Sequence, residues 1–426
     1  MKKLVTLMLA VLLIASMLAP AAMAEQTTVK FWSHVNVAWN DSWKALIADF
    51  EAANPDIKIE YTQFPYDEMS AKTQTALMAG EAGADVYEVW GGWMLDFAAA
   101  GALAEMPADL LGDIADDCYE PVLGSMTVDG KVYGAPLELN IEYGGLLVHK
   151  TLFEEAGLAY PTTWEEVMDI AKKVAVKDGE TMTMRGLEFA GNDGLFFIWQ
   201  ALILQMGGEL FDEEGKLDLD TEIAAEALAE RVSWIAEDGI TNLDTNTNAQ
   251  GIDMHGFLGI DECFMVQRGP WAISDVVASY GGVLGETFDY IPQPAFFEGV
   301  EQKWAAETGW SLAIAEKSEV KDAAWKFVEF VMQPENLVKH NLACDQIPPR
   351  KSVANSSEYI EAKPYMENVL ETLNHVVYTG AYNTDIVKAY MQQAFMSLVN
   401  GDGTYADAAA ACAAIQADID ANVKFY

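Results

Sequence analysis

The chain has 426 residues, 51% of them hydrophobic, which suits two domains at ~100–200 residues each and is too apolar for a disordered tail. Its 66 Asp and Glu against 25 Lys and Arg give a net charge of −41, a field that repels nucleic acid and anionic lipid and discourages a strongly anionic ligand. Dispersed over a surface, the same acid also serves solubility and says nothing about a site.

The first residues have the three parts of a secretory signal peptide: Lys2 and Lys3, an apolar stretch from Leu4 to Leu18, and the small-residue site Ala22-Met23-Ala24 before Glu25. The apolar run is shorter than the ~20 residues a bilayer requires, so a cleaved leader over 1–24 is expected rather than an anchor. The first cysteine is Cys118, so an acylated amino terminus is not expected. The predicted location is periplasmic or extracellular.

Strand-like and helix-like segments then alternate. Thr28 to Trp32 reads as a strand, followed by a loop carrying His34, Asn36 and Asn40. A helix is expected from about Asp41, with Trp43, Leu46, Ile47 and Phe50 on one face, ended by Asn54-Pro55. Ile57 to Tyr61 alternates with period two, Tyr66 to Met78 is helical, and Val86 to Trp90 is the next strand. This order predicts an α/β domain with a largely parallel sheet, whose ligand crevice lies at the carboxyl ends of the strands, after Trp32 and Trp90.

A second α/β region begins after the turn pair Asp129-Gly130. Leu146 to His149 is a strand, and Thr163-Trp-Glu-Glu166 fits a capping box, in which hydroxyl and carboxylate satisfy each other's backbone donors. Phe196 to Met206 is an apolar helix, Phe264 to Val266 a short strand and Leu312 to Ala315 another. A helix face follows at Ala324, Phe327, Val328 and Val331, and the tail from Thr384 to Val423 is helical with a break at Asn400-Gly-Asp-Gly403.

Catalytic motifs are missing: there is no paired-histidine zinc helix, phosphate loop or Gly-x-Ser-x-Gly elbow. Asp244, Asn246 and Asn248 match the first ligand positions of a calcium loop, but Ala249 replaces the turn glycine and His255 the closing glutamate. No metal or other cofactor is therefore expected. Cys118, Cys263, Cys344 and Cys412 are too widely spaced for a zinc motif; they allow three disulfide connectivities or four isolated thiols.

Tryptophan is the strongest signal, with twelve in the chain. Trp43, Trp164, Trp234 and Trp325 fall within predicted helices and are expected in cores. Trp39, Trp93, Trp271 and Trp310 fall in predicted loops beside glycine, proline or asparagine, where flat rings can stack on a neutral, partly apolar ligand with little loss of rotamer freedom.

Several segments in order carry a resemblance: Val29-Lys-Phe-Trp-Ser33, Ala84-Asp-Val86, Gly101-Ala-Leu-Ala-Glu105, Asp129-Gly-Lys-Val-Tyr-Gly-Ala-Pro136, Lys150-Thr-Leu-Phe-Glu-Glu-Ala-Gly157, Pro161-Thr-Thr-Trp-Glu-Glu166, Cys263-Phe-Met-Val-Gln-Arg-Gly-Pro-Trp271 and Ala323-Ala-Trp-Lys-Phe-Val-Glu-Phe-Val331. Together they resemble the family 1 extracellular solute-binding proteins of ABC importers, the group that contains the maltose-binding protein. The resemblance implies two Rossmann-like α/β lobes joined by a multi-strand hinge, the class II binding-protein arrangement, closing like a jaw. It implies a first lobe over 25–138 plus 292–340 and a second over 139–290 plus 341–426. It also implies a monomer without chemistry of its own, which captures a mono- or oligosaccharide and delivers it to membrane permease subunits.

Residue by residue, the resemblance places Trp271 of Gly-Pro-Trp at a sugar-stacking position. It places Trp90 or Trp93 at the first-lobe aromatic position and Asn36 at a polar position of the first loop. Counting back from His149 gives Glu142 as the acidic ligand residue, whereas counting forward from Pro136 gives Asn140. Tyr382 would supply a late aromatic, and the loop tryptophans Trp39 and Trp310 complete the expected site. Two other readings stay open at this level: a polyamine or other cationic solute, suited to aromatics and carboxylates together, and a secreted carbohydrate hydrolase, which needs two carboxylates across one bond.

Overall fold

The computed structural model describes residues 26–426 apart from 80–82, 142–143, 180, 190 and 244–254. The expected leader, Glu142 and the calcium-like loop from Asp244 to Asn248 lie outside the described residues.

The first sheet has five strands in the order Ile57–Phe64, Thr27–His34, Val86–Trp90, Trp310–Ile314, Ala135–Pro136. The first three run parallel, and Trp310–Ile314 runs antiparallel to Val86–Trp90 on one side and Ala135–Pro136 on the other. The period-two pattern of Thr27–His34 sends Val29 and Phe31 inward, where Phe31 meets Trp43 edge-on at 4.9 Å and Phe327 at 5.6 Å. Helix Val37–Ala53 buries Trp43, Leu46, Ile47 and Phe50 as its periodicity predicts. Burial of each such apolar side chain contributes roughly 1.5–3 kcal/mol relative to exposure.

The second sheet has the order Phe288–Pro292, Gly145–His149, Cys263–Arg268, Thr181–Phe189, Val176–Asp178, with only the Cys263–Arg268 and Thr181–Phe189 pair parallel. The capping box forms. Thr163 Oγ1 accepts from the Glu166 N–H at 3.2 Å, and Glu166 Oε2 accepts from the Thr163 N–H at 3.3 Å. That start turns Trp164, Val167, Met168 and Ala171 into the second core, where Trp164 packs on Trp234 and Phe296. Four helices, Gly191–Gln205, Glu222–Ala236, Thr384–Asn400 and Ala408–Asn422, pack together in the same body.

Between the two bodies lies a three-stranded sheet in the order Val376–Tyr378, Trp304–Thr308, Leu139–Asn140. It forms the hinge, and the chain crosses between the lobes there. Two packing contacts fall near the expected lobe boundaries. Phe296 packs on Trp164 and Trp234, so the segment after Pro292 stays with the second core until the hinge strand Trp304–Thr308. The boundary after His340 would cut helix Pro334–Cys344, which packs on Val37–Ala53 in the first lobe.

All four cysteines are buried free thiols. Burial pushes the Cys118 and Cys412 thiols up to about 12, so neither is poised to react.

Candidate functional site

The site is built on the carboxyl ends of the first sheet. Three tryptophans expected in loops sit instead on regular elements, for local reasons that can be named. Asn36 caps helix Val37–Ala53 by accepting the Trp39 N–H on Oδ1 at 3.2 Å, so the helix starts four residues earlier than expected and takes in Trp39. The pair Gly91-Gly92 opens helix Gly91–Ala99 and not a loop. A Cβ at Gly91 would stand 2.3 Å from the Thr308 carbonyl oxygen, so glycine lets the hinge strand approach the helix start that carries Trp93. Trp310 opens a strand, paired directly opposite Trp90, and its N–H donates to Glu138 Oε1 at 2.9 Å.

These elements bring Trp90, Trp93 and Trp310 together. Trp310 meets Trp90 at 5.4 Å and Trp93 at 5.7 Å between ring centroids, both edge-on, and Tyr66 joins at 5.9 Å. Such edge-to-face pairs contribute about 0.5–1.5 kcal/mol each beyond area burial. The imidazole of His34 lies flat on Trp310 at 4.2 Å, with only 3° between the planes. His34 is held there by Glu88, whose Oε2 accepts the His34 backbone N–H at 2.9 Å and lies 2.6 Å from Nδ1. Glu88 is fully buried, and these contacts give its Oε2 the polar partners that burial demands.

Trp39 departs from the expected site. Its ring is turned into the first core, edge-on to His340 at 4.7 Å and to His34 at 5.0 Å. Behind it, burial and then the neighbouring His34 push the His340 imidazole down to about 3, so it stays neutral, with Nδ1 2.8 Å from Ser42 Oγ. Tyr382 is also buried, packed on Phe425 at 5.3 Å, and burial followed by the charge of Glu307 holds its hydroxyl above the usual range. Asn140 is buried in the hinge sheet directly opposite Glu307.

The facing wall comes from the second lobe. Trp271 is half-buried at the start of helix Ala272–Tyr280, with the Arg268 guanidinium 4.9 Å from its ring centroid. The two walls touch. Asn36 Nδ2 donates to Asp275 Oδ1 at 2.7 Å, Trp93 Nε1 donates to Asp385 Oδ2 at 2.7 Å, and Asp96 accepts from Asn383 Nδ2 and from the Tyr426 hydroxyl, each at 2.6 Å. On the hinge floor, Lys388 lies 3.4 Å from both Glu307 Oε1 and Asp385 Oδ1.

A family model described as bacterial extracellular solute-binding protein matches residues 37–337. The chain belongs to this family. Among relatives of this solute-binding protein, a binding protein of Brucella abortus is 24% identical over 315 residues, which is 73% of each chain. The maltotriose-binding protein of Pyrococcus abyssi is 25% identical over 352 residues, 82% of this chain and 72% of the relative. The structure of maltose-bound MalE3 of T. maritima, 23% identical, superimposes with a TM-score of 0.78 over 92% of this chain and 99% of that one. The likeness gives the solute-binding protein a two-lobed fold of that type.

Sequence reading alone did not assign His34, Tyr66, Glu88, Glu307, Asp385 and Lys388 to the candidate site. His34 had a usable signal, because it ends the first strand at the crevice side. Glu307 and Lys388 had none, since the pair joins hinge and tail across 81 residues of chain.

Proposed function

We propose that this protein captures a mono- or oligosaccharide between its lobes and delivers it to the permease of an ABC importer. The observation that carries the reading is the presence of tryptophans on both lobes. Trp90, Trp93 and Trp310 are clustered on the first lobe, and Trp271 stands half-buried beside Arg268 on the second. Sugar C–H faces stack on indoles at little entropic cost, while Asn36, Arg268 and Asp275 offer partners for hydroxyls. The maltotriose and maltose named for the relatives are of the same chemical class. Residues 1–24 would serve as the export leader, placing the mature protein in the periplasm or outside the cell. The first lobe would take 26–138 and 309–372 and the second the remainder, with the hinge strands between.

A cationic solute would suit the acidic surface, but Glu307 and Asp385 already have Lys388 as a counter-charge. This favours an uncharged ligand. Melting temperatures measured against a panel of neutral saccharides and of diamines test the reading. A saccharide at 100 times its Kd is expected to add about 2.7 kcal/mol of stability. A diamine that raises the melting temperature where every saccharide fails would contradict it.

A further inference from the structure

The saccharide reading leaves the buried cation Lys388 unused. Lys388 projects from helix Thr384–Asn400 onto the hinge floor, and its side chain is 2% exposed, as is that of Glu307. Its ammonium stands 3.4 Å from Glu307 Oε1 and 3.4 Å from Asp385 Oδ1. The rings of Trp90 and Phe197 flank it, with centroids 5.6 and 5.1 Å away. The two carboxylates are themselves fixed: Thr384 Oγ1 donates to Glu307 Oε2 at 3.1 Å, and Trp93 Nε1 donates to Asp385 Oδ2.

Aromatic faces and carboxylates converging on one point are the chemistry that recognises an alkylammonium group. Here the chain's own lysine occupies that point. A ligand ammonium arriving in the crevice would have to displace a tethered cation whose local concentration no free solute matches, or sit beside it against like-charge repulsion.

We propose that Lys388 is a specificity-determining residue: it fills, from within the chain, the cage that a ligand's ammonium group would otherwise enter. By doing so it keeps the crevice selective for uncharged solutes over alkylamines and diamines. The inference rests on the crevice being the ligand site, as proposed above.

Lys388→Ala removes the propylammonium portion of the side chain, so propylamine at about pH 7 is the matched probe and propan-1-ol its neutral control. The Ala variant is expected to gain thermal stability with propylammonium and not with propanol. It is expected to bind 1,4-diaminobutane roughly tenfold or more tightly than the wild-type protein does. Lys388→Met, which keeps the stem volume but not the charge, should respond to neither amine. If the Ala variant is recovered unfolded, its refolding yield with and without propylammonium gives the same readout. An Ala variant no more responsive than wild type, one stabilised equally by propanol, or full rescue of the Met variant would overturn the proposal. The wild-type titration separates the two claims. Saccharide uptake by wild type with no amine response in Lys388→Ala removes only the role of Lys388, whereas diamine uptake by wild type without saccharide uptake removes the crevice reading beneath it.

Discussion

The two walls of the crevice are built differently. On the first lobe, Trp90, Trp93, Trp310, Tyr66 and His34 hold one another through ring contacts, and Glu88 anchors the set from beneath. On the second, Trp271 stands half-buried at a helix start with Arg268 over its ring. The first wall is core, with Trp90, Trp93 and Trp310 between 5 and 7% exposed, whereas Trp271 on the second is only partly buried. Substitutions on the first wall should therefore cost folding and binding together, and those on the second should cost binding alone.

The largest effect is expected at Trp310. Its ring is the common neighbour of the cluster, so Trp310→Ala should lower stability by about 3–5 kcal/mol and abolish measurable ligand binding. Denaturant midpoints with a matched titration check this. An intact midpoint would show that the wall does not depend on its central ring.

Next comes the support behind that wall. His340 is fully buried, and its imidazole is held near 3 against an ordinary value of 6.5. Below pH 6.5 the unfolded chain takes up a proton there that the folded chain refuses, so stability falls as pH drops from 6.5 toward 3. Over the first two pH units the loss from this group is about 2–3 kcal/mol. His340→Gln should remove that part of the acid sensitivity in unfolding measured from pH 7 to 4.5. An unchanged pH slope would mean that His340 is not the group responsible.

The second wall should give the opposite signature. Trp271→Ala is expected to weaken ligand binding by more than roughly tenfold, about 1.4 kcal/mol. Its stability should change by less than about 1 kcal/mol. The smallest effect is expected far from both walls: Thr163→Ala loses the capping box, about 1 kcal/mol of stability, with ligand affinity unchanged.

Much of this architecture is written locally. The period-two run at Thr27–His34, the helix face of Trp43, Leu46, Ile47 and Phe50, and the Thr163 capping box each form as their spacing predicts, because neighbouring residues decide them. The site is less legible. Trp39 looks like a loop residue until Asn36 is recognised as a helix cap, and so does Trp93 until Gly91-Gly92 is seen opening a helix against the hinge strand. Packing near the expected lobe boundaries follows from a related cause. Phe296 joins the core around Trp164 and Trp234, a choice made by tertiary packing and not by adjacent sequence. Polar pairs such as Glu88 with His34 and Glu307 with Lys388 join residues tens of positions apart, and spacing carries no trace of them.

The most direct test is a crystal structure of the protein with the saccharide that most raises its melting temperature. The account predicts a sugar ring lying on the Trp271 indole at about 4 Å, with its far side against the Trp90, Trp93 and Trp310 cluster. Density for the sugar elsewhere on the protein, or an amine in that place instead, would contradict it.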